Sequence, residues 1–279
     1  MPKLGLIAGG GKLPLFVARE ASAQGWEVIA LAIEGDAREE ELKPLVRGLY
    51  WLGAGEVGRL IELMQKEGIR DAVMAGKVQK KRIYTGLKPD ARGMKVFLSM
   101  PNMTDDVILG AVAKELESEG ITLHPTTFCL DGILASEGVI VGVPPSPDQW
   151  KDIRFGWKIA KEIGRLDIGQ TVVVKKGAVV SVEAIEGTDE AIRRGGKLGG
   201  PGVVVVKVAK PQQDVRFDVP VVGLETILSM EEALASILAI EAGATIFLER
   251  DEVISGAARC GLTIIATKDP EKEMMNDER

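Results

Sequence analysis

A chain of 279 residues, 46% apolar, 4% aromatic and with a formal net charge of −6, can hold one large domain or two ordinary ones. Scarce aromatics and an acidic balance argue against a base-stacking surface or a general DNA binder, so no nucleic-acid partner is expected. No apolar run approaches the roughly 20 residues of a membrane span, which leaves only peripheral membrane contact.

Two cysteines, Cys129 and Cys260, lie far apart in apolar surroundings. They read as buried core thiols and imply no disulfide framework, which suits a reducing cytoplasm. Met1-Pro2-Lys3 runs straight into a strand-like segment with no secretory signal, so a cytoplasmic location is expected.

Leu4 to Ala8 reads as a short buried strand, and Pro14 suits the start of a helix that runs to about Gln24 and stops at Gly25. WEVIALAIEG is a second buried strand. Val57, Leu60, Ile61 and Met64 recur at helical spacing before Gly68, and DAVMAG is a third strand. Thr104 is a suitable N-cap, with Asp105 and Asp106 in the favourable first turn and Leu109, Val112, Ala113 and Leu116 as the apolar stripe. ITLHPTTF is a further strand. Such alternation predicts a parallel sheet covered by helices on both faces, an α/β fold.

GVPPSPDQW, with three prolines, marks an interdomain linker, taken as residues 136–150 between a first domain over 1–135 and a second over 151–267. TVVVKKGAVVSVEAIEG reads as a hairpin around a Lys-Gly turn, and PGVVVVKVAK as another strand. Ser229 with Glu232 suggests a capping box opening a helix through about Glu241. ATIFLE, a short helix and GLTIIAT complete a smaller α/β unit, and the charged tail over 268–279 is expected to be disordered.

The opening stretch LIAGGGKLP offers Gly9 and Gly11 for a dinucleotide fingerprint but places Pro14 where the third glycine belongs. Glu34 sits roughly where a ribose-binding acid would be. NAD binding is therefore disfavoured. Backbone N–H groups at a glycine-rich helix start still attract anions, so the segment is either a nucleotide or phosphate contact or only a tight turn.

The single histidine, His124, excludes a His-rich dinuclear centre and reads as a structural hydrogen-bonder; zinc, P-loop and nucleophile-elbow motifs are missing. What remains is carboxylates and cations in glycine-rich settings. EAIEGTDEAIRRGG groups Glu183, Glu186, Asp189 and Glu190 ahead of Arg193 and Arg194. VAKPQQDVRFDVPVVGLET supplies Lys210, Gln213, Asp214, Arg216, Asp218 and Thr226. Carboxylate oxygens and phosphate oxygens together suit a hard cation, and Lys or Arg stabilises phosphoryl charge. Incidental charge on solvated loops is the competing reading. Lys77, Lys80, Lys81 and Arg82 precede Met94, Val96, Phe97, Leu98, Met100 and Met103. That juxtaposition suits an anionic headgroup with acyl chains or an anionic membrane surface, or else an amphipathic helix packed on the core.

GLIAGGGKLP, MAGKVQKKR, VEAIEGTDEAIRRGG and KPQQDVRFDVPVVGLET together resemble the LpxI family, in order and up to about Thr267. The resemblance implies a Rossmann-like N-terminal domain and a distinct α/β C-terminal catalytic domain. It also implies hydrolysis of the UDP-2,3-diacylglucosamine pyrophosphate to UMP and 2,3-diacylglucosamine 1-phosphate in lipid A synthesis, by attack on the sugar-side phosphorus. Mg²⁺ or Mn²⁺ is the implied cofactor, a glycolipid the implied substrate, and inner-membrane contact and homo-oligomerisation are compatible with it. The essential acid falls on Asp218, with Asp214 close enough to confuse the assignment. Asp218 and Asp189 are the implied metal ligands. Gly10, Gly11, Lys12, Leu13, Gly76, Lys77, Thr188, Gln213 and Thr226, with Asp189, are the implied substrate contacts. A non-catalytic nucleotide-sugar or lipid-binding protein and an ATP-grasp amino-terminal unit are the alternatives, the latter opposed by the missing length.

Overall fold

The computed structural model describes residues 1–78 and 89–271, with the side chains of Asp105 and Asp106 outside that set. The chain divides into two compact units, one of residues Met1–Asp131 with Asp214–Asp218, the other of Gly132–Gln213 with Val219–Arg279.

The first unit runs β1 (Lys3–Ala8), α1 (Leu13–Ala23), β2 (Glu27–Ile33), α2 (Glu39–Leu42) with a 3₁₀ turn, β3 (Gly48–Leu52), α3 (Val57–Glu67), β4 (Asp71–Ala75), α4 (Ala91–Ser99), α5 (Asp105–Ser118) and β5 (Thr122–His124). Its five strands lie in the order β3-β2-β1-β4-β5 and every pair is parallel. The stripes expected at Val57, Leu60, Ile61 and Met64 and at Ala113 and Leu116 do converge, in one core with Ile29, Leu31, Ala72 and Met74 of the sheet. Strand β3 escaped the sequence reading. It is an edge strand of mostly half-buried residues, so it lacks the apolar run that betrays a central strand. Thr104 is the N-cap of α5, but its hydroxyl turns to Asn102 Oδ1 (3.0 Å) and caps no helical N–H.

The second unit runs β6 (Gly138–Val141), α6 (Pro147–Arg165), β7 (Thr171–Lys175), β8 (Ala178–Val182), α7 (Thr188–Gly199), β9 (Val204–Lys207), β10 (Val221–Val222), α8 (Leu224–Glu232), β11 (Ile237–Glu241), β12 (Ile246–Phe247), α9 (Arg250–Arg259) and β13 (Thr263–Thr267). Its main sheet has six strands, β6-β13-β11-β9-β7-β8, so the unit expected to be the smaller carries the larger sheet. Strands β9, β11 and β13 are mutually parallel, while β6 and the β7–β8 hairpin run antiparallel on either side. Alternation puts Val172, Val174, Val204 and Val206 beneath Ile153, Trp157 and Ala160 of α6. The intervening Val173, Val203 and Val205 face Ile192 of α7, Ile227 and Met230 of α8 and Val253 of α9.

Three sequence expectations are corrected here. The stretch read as a linker contains β6 and the start of α6, whose prolines frame a capping box: Ser146 Oγ accepts from Gln149 N–H, and Gln149 Oε1 accepts from Ser146 N–H. The capping box expected at Ser229 and Glu232 does not form. Those residues end α8, with Ser229 Oγ donating back to the Glu225 carbonyl (3.0 Å). The helix expected through Glu241 is strand β11, buried on both faces, and a continuous apolar run does not distinguish the two. Within the stretch read as the C-terminal domain, Asp214–Asp218 group by their contacts with the first unit. The reason is Phe217, which packs into the first unit's core.

Candidate functional site

In the first unit, order reverses at β1: the chain proceeds outward through β2 and β3, then returns to build β4 and β5 on the other side. Ligands of open α/β sheets bind at the carboxyl ends of strands beside such a reversal. The glycine turn leaves β1 there, and Gly76 and Lys77 leave β4 next to it. The two turns are joined by Gly10 N–H to Lys77 O (2.8 Å) and Lys77 N–H to Gly10 O (3.0 Å). A Cβ on Gly76, whose φ is +91°, would lie 2.6 Å from Gly10 O and 2.8 Å from Pro14 Cγ. Pro14 therefore occupies the fingerprint's third position as the surface against which the β4 turn packs, which accounts for the departure from the dinucleotide pattern. Gly11 has φ +88° and open space where a Cβ would be, and α1 begins behind it with Lys12 as N-cap, Leu13 as its first residue and no side-chain cap. The expected first-unit contacts Gly10, Gly11, Lys12, Leu13, Gly76 and Lys77 are thus one continuous rim. Lys80, Lys81 and Arg82 lie outside the described residues.

In the second unit the register places Thr171, Lys207, Ile240 and Ala266 in one row at the carboxyl ends of the parallel strands. Lys207, 4% exposed, donates through Nζ to Thr188 Oγ1 (3.2 Å) and to the Val221 carbonyl (2.9 Å). Thr188 Oγ1 in turn donates to Glu183 Oε1 (2.9 Å). Thr188 opens α7, so the expected contacts Thr188 and Asp189 occupy its amino-terminal turn, where the dipole and orphan N–H groups favour an anion. Asp189 Oδ1 is buried with no hydrogen-bond partner among the described residues, and so is Gln213 Nε2. Orphaned buried polar atoms are rare in native proteins and call for a partner such as ordered water, an ion or a ligand. Thr226 is buried in the first turn of α8.

The chain from Lys207 to Asp218 is pinned at nearly every step. Glu241 Oε2, at the end of β11, accepts from Ala209 N–H (2.8 Å) and from Lys161 Nζ (2.6 Å), and Lys161 also donates to the Ala209 carbonyl (2.8 Å). Lys210 Nζ meets Asp167 Oδ1 at 2.5 Å, with side chains 7% and 12% exposed. Gln212 Nε2 caps the carboxyl end of α6 at the Gly164 carbonyl (3.0 Å). Gln213 Oε1 accepts from Lys210 N–H (2.7 Å), closing the turn. The sequence reading did not single out Lys207 or Glu241, each a charged residue closing an otherwise apolar strand.

Asp214, one of the two acids of the QQDVRFD stretch, is held by local contacts. Both Asp214 oxygens are taken up by Arg216: Nε lies 2.9 and 3.0 Å from Oδ1 and Oδ2, Nη2 lies 2.6 Å from Oδ2, and the Arg216 N–H adds a bond to Oδ1 (3.0 Å). The Arg216 guanidinium holds the Asp214 carboxyl below the usual aspartate range, against the opposing pull of partial burial. Asp214 is a loop-forming residue. A folded-state pKa below the unfolded one stabilises fully above about pH 4 and is lost as the pH falls through the folded value. Asp214→Asn is therefore expected to cost about 1 kcal/mol near neutrality. The gap from wild type should close below about pH 3, as thermal unfolding at several pH values would record.

His124 Nε2 pairs with Asp71 Oδ1 at 2.7 Å and its ring stacks on Phe128 at 4.0 Å, the structural role expected of it. For a divalent cation, no group of three or more His, Cys, Asp or Glu side chains is arranged as a metal site among the described residues. The orphaned Asp189 oxygen is nonetheless a hard donor of the right kind, and Mg²⁺ commonly takes one or two carboxylates and completes its shell with substrate phosphates and water. A sparse acidic set fits that mode better than a protein cage.

Comparison with known proteins gives a consistent answer. Residues 3–133 match the model of the LpxI N-terminal domain and residues 136–265 that of the LpxI C-terminal domain. The chain is similar to the UDP-2,3-diacylglucosamine pyrophosphatase LpxI of Caulobacter vibrioides, with 34% identity over 285 aligned positions that cover 98% of this chain and 99% of that protein.

Proposed function

Because this chain belongs to the LpxI family, we propose that it hydrolyses the pyrophosphate of UDP-2,3-diacylglucosamine, releasing UMP and 2,3-diacylglucosamine 1-phosphate for lipid A synthesis. The observation that carries this reading is the match to a relative of that name over 98% of this chain and 99% of that protein. Water adds to the sugar-side phosphorus, the bond from that phosphorus to the bridging oxygen breaks, and the bridging oxygen leaves with UMP. Asp218 takes the proton of the attacking water or orients it. Main-chain N–H groups behind Gly11, with the Lys77 cation in the same rim, suit phosphate charge, and in the second unit the N–H groups at the start of α7 have the same character.

Asp189, with its orphaned buried oxygen, would help to hold Mg²⁺ or Mn²⁺, which when bound supplies charge neutralisation at the diphosphate. Thr188, Gln213 and Thr226 orient the substrate by hydrogen bonds. No helix among the described residues is long and apolar enough to cross a membrane. The exposed Met94 and Leu98, one turn apart on α4 beside Lys95, support acyl-chain or peripheral membrane contact.

Incubating the pure chain with UDP-2,3-diacylglucosamine and Mg²⁺ is expected to release UMP. Binding without UMP would leave a non-catalytic glycolipid-binding protein. Chelation of divalent ions with EDTA is expected to reduce UMP release to background, and excess Mg²⁺ or Mn²⁺ to restore it. Undiminished turnover in EDTA would remove the metal from the mechanism.

A further inference from the structure

Asp218 ends a five-residue excursion of the chain, Asp214–Asp218, that belongs to the first unit although the residues on either side belong to the second. Phe217 fills a place in the first unit's core. Arg216, already locked to Asp214, also pairs through Nη1 with Glu117 of α5. The contact nearest the strands comes from Thr126, 2% exposed, just beyond β5. Its N–H donates to the Val215 carbonyl (3.0 Å). Its Oγ1 lies 3.1 Å from the Met74 carbonyl of β4 and 3.3 Å from the Arg216 carbonyl. Met74 is two residues before Gly76, so one buried hydroxyl ties the excursion to the strand that delivers the Gly76–Lys77 rim.

We propose that Thr126 is a positioning residue: its hydroxyl and N–H fix the 214–218 excursion to the end of β4 and thereby set where the Asp218 carboxylate stands. This rests on reading Asp218 as the essential acid. A hydroxyl that sits within hydrogen-bond distance of two carbonyls from segments far apart in sequence has no equivalent in valine, which has the same shape without the donor.

The test uses the full chain. In Thr126→Val the amides of Phe217 and Asp218, both bonded to the Asp214 carbonyl in the wild type, are expected to exchange with deuterium at least about tenfold faster. The kcat for UMP release should fall roughly tenfold or more, with KM within about threefold, because misplacement of a catalytic group acts on turnover rather than on binding. Thr126→Ser should restore both. Unchanged exchange in folded Thr126→Val overturns the proposal, as does faster exchange with unchanged kcat.

In an Asp218→Asn background, Thr126→Val should lower the residual kcat no further. A further loss would mean that Thr126 acts elsewhere and would also overturn it. Should Thr126→Val fail to fold, Thr126→Ala, which also lacks the hydroxyl, is put through the same measurements with the same expected and overturning results. A wild-type chain that releases no UMP, or a fully active Asp218→Asn, overturns the functional reading instead, and deuterium exchange alone then decides the role of Thr126.

Discussion

Asp218→Asn should release UMP about three orders of magnitude more slowly than the wild type, within the range that a positioned acid–base group contributes. Its melting temperature should stay close to the wild-type value. The expectation rests on the resemblance that puts the essential acid at Asp218, while the Asp214 oxygens are occupied by four contacts from Arg216 that shape the loop. Asparagine preserves the size of the side chain but cannot accept the proton of an attacking water, and it is a poorer partner for a cation. Kinetics and melting have to be read together. Loss of kcat with an intact fold assigns the acid to Asp218; activity near the wild-type level would move the role to another acid, and Asp189 would be the next to replace.

The largest effect on stability is expected from Lys210→Met. The Lys210–Asp167 pair is nearly buried on both sides, and removal of one member leaves an uncompensated charge in a poorly hydrated place. The cost of such a break is about 3–5 kcal/mol, or a fall in melting temperature on the order of 10 °C for a unit of this size. Asp167→Ala combined with Lys210→Met should recover part of the loss, because the double variant leaves no orphaned ion. Calorimetry on the wild type, both single variants and the double variant completes the cycle. If Lys210→Met melts like the wild type, the pair does not hold the loop that leads to Asp214.

The stripes at Val57–Met64, the glycine-bounded helix ends and the Lys-Gly hairpin were legible because each is a local pattern with a local cause. In the hairpin, Lys176 and Gly177 both adopt positive φ, and their N–H groups are held by Asp152 of α6 (2.9 and 2.6 Å), a partner that no spacing rule discloses. Strand β11 was illegible for the opposite reason: burial on both faces removes the alternation that identifies a strand. The candidate site could be read only as residue types and motif order. The Arg216 fork on Asp214 and the contacts of Lys207, Glu241 and Thr126 needed the folded chain: Lys207, Glu241 and Thr126 each meet partners more than ten residues away, and no spacing rule discloses such pairs.

The excursion at Asp214–Asp218 also bears on how this protein can be divided. The boundary between the matched family domains falls near residue 134, and a gene fragment stopping there would encode every strand of the five-stranded sheet. It would not encode Phe217 or Arg216, so the product would carry an unfilled hydrophobic socket and an unmatched Glu117. The two halves are therefore poor candidates for independent modules. Recombination between relatives at that boundary would pair one parent's socket with the other parent's plug, and viable chimeras should be those in which the two have been inherited together.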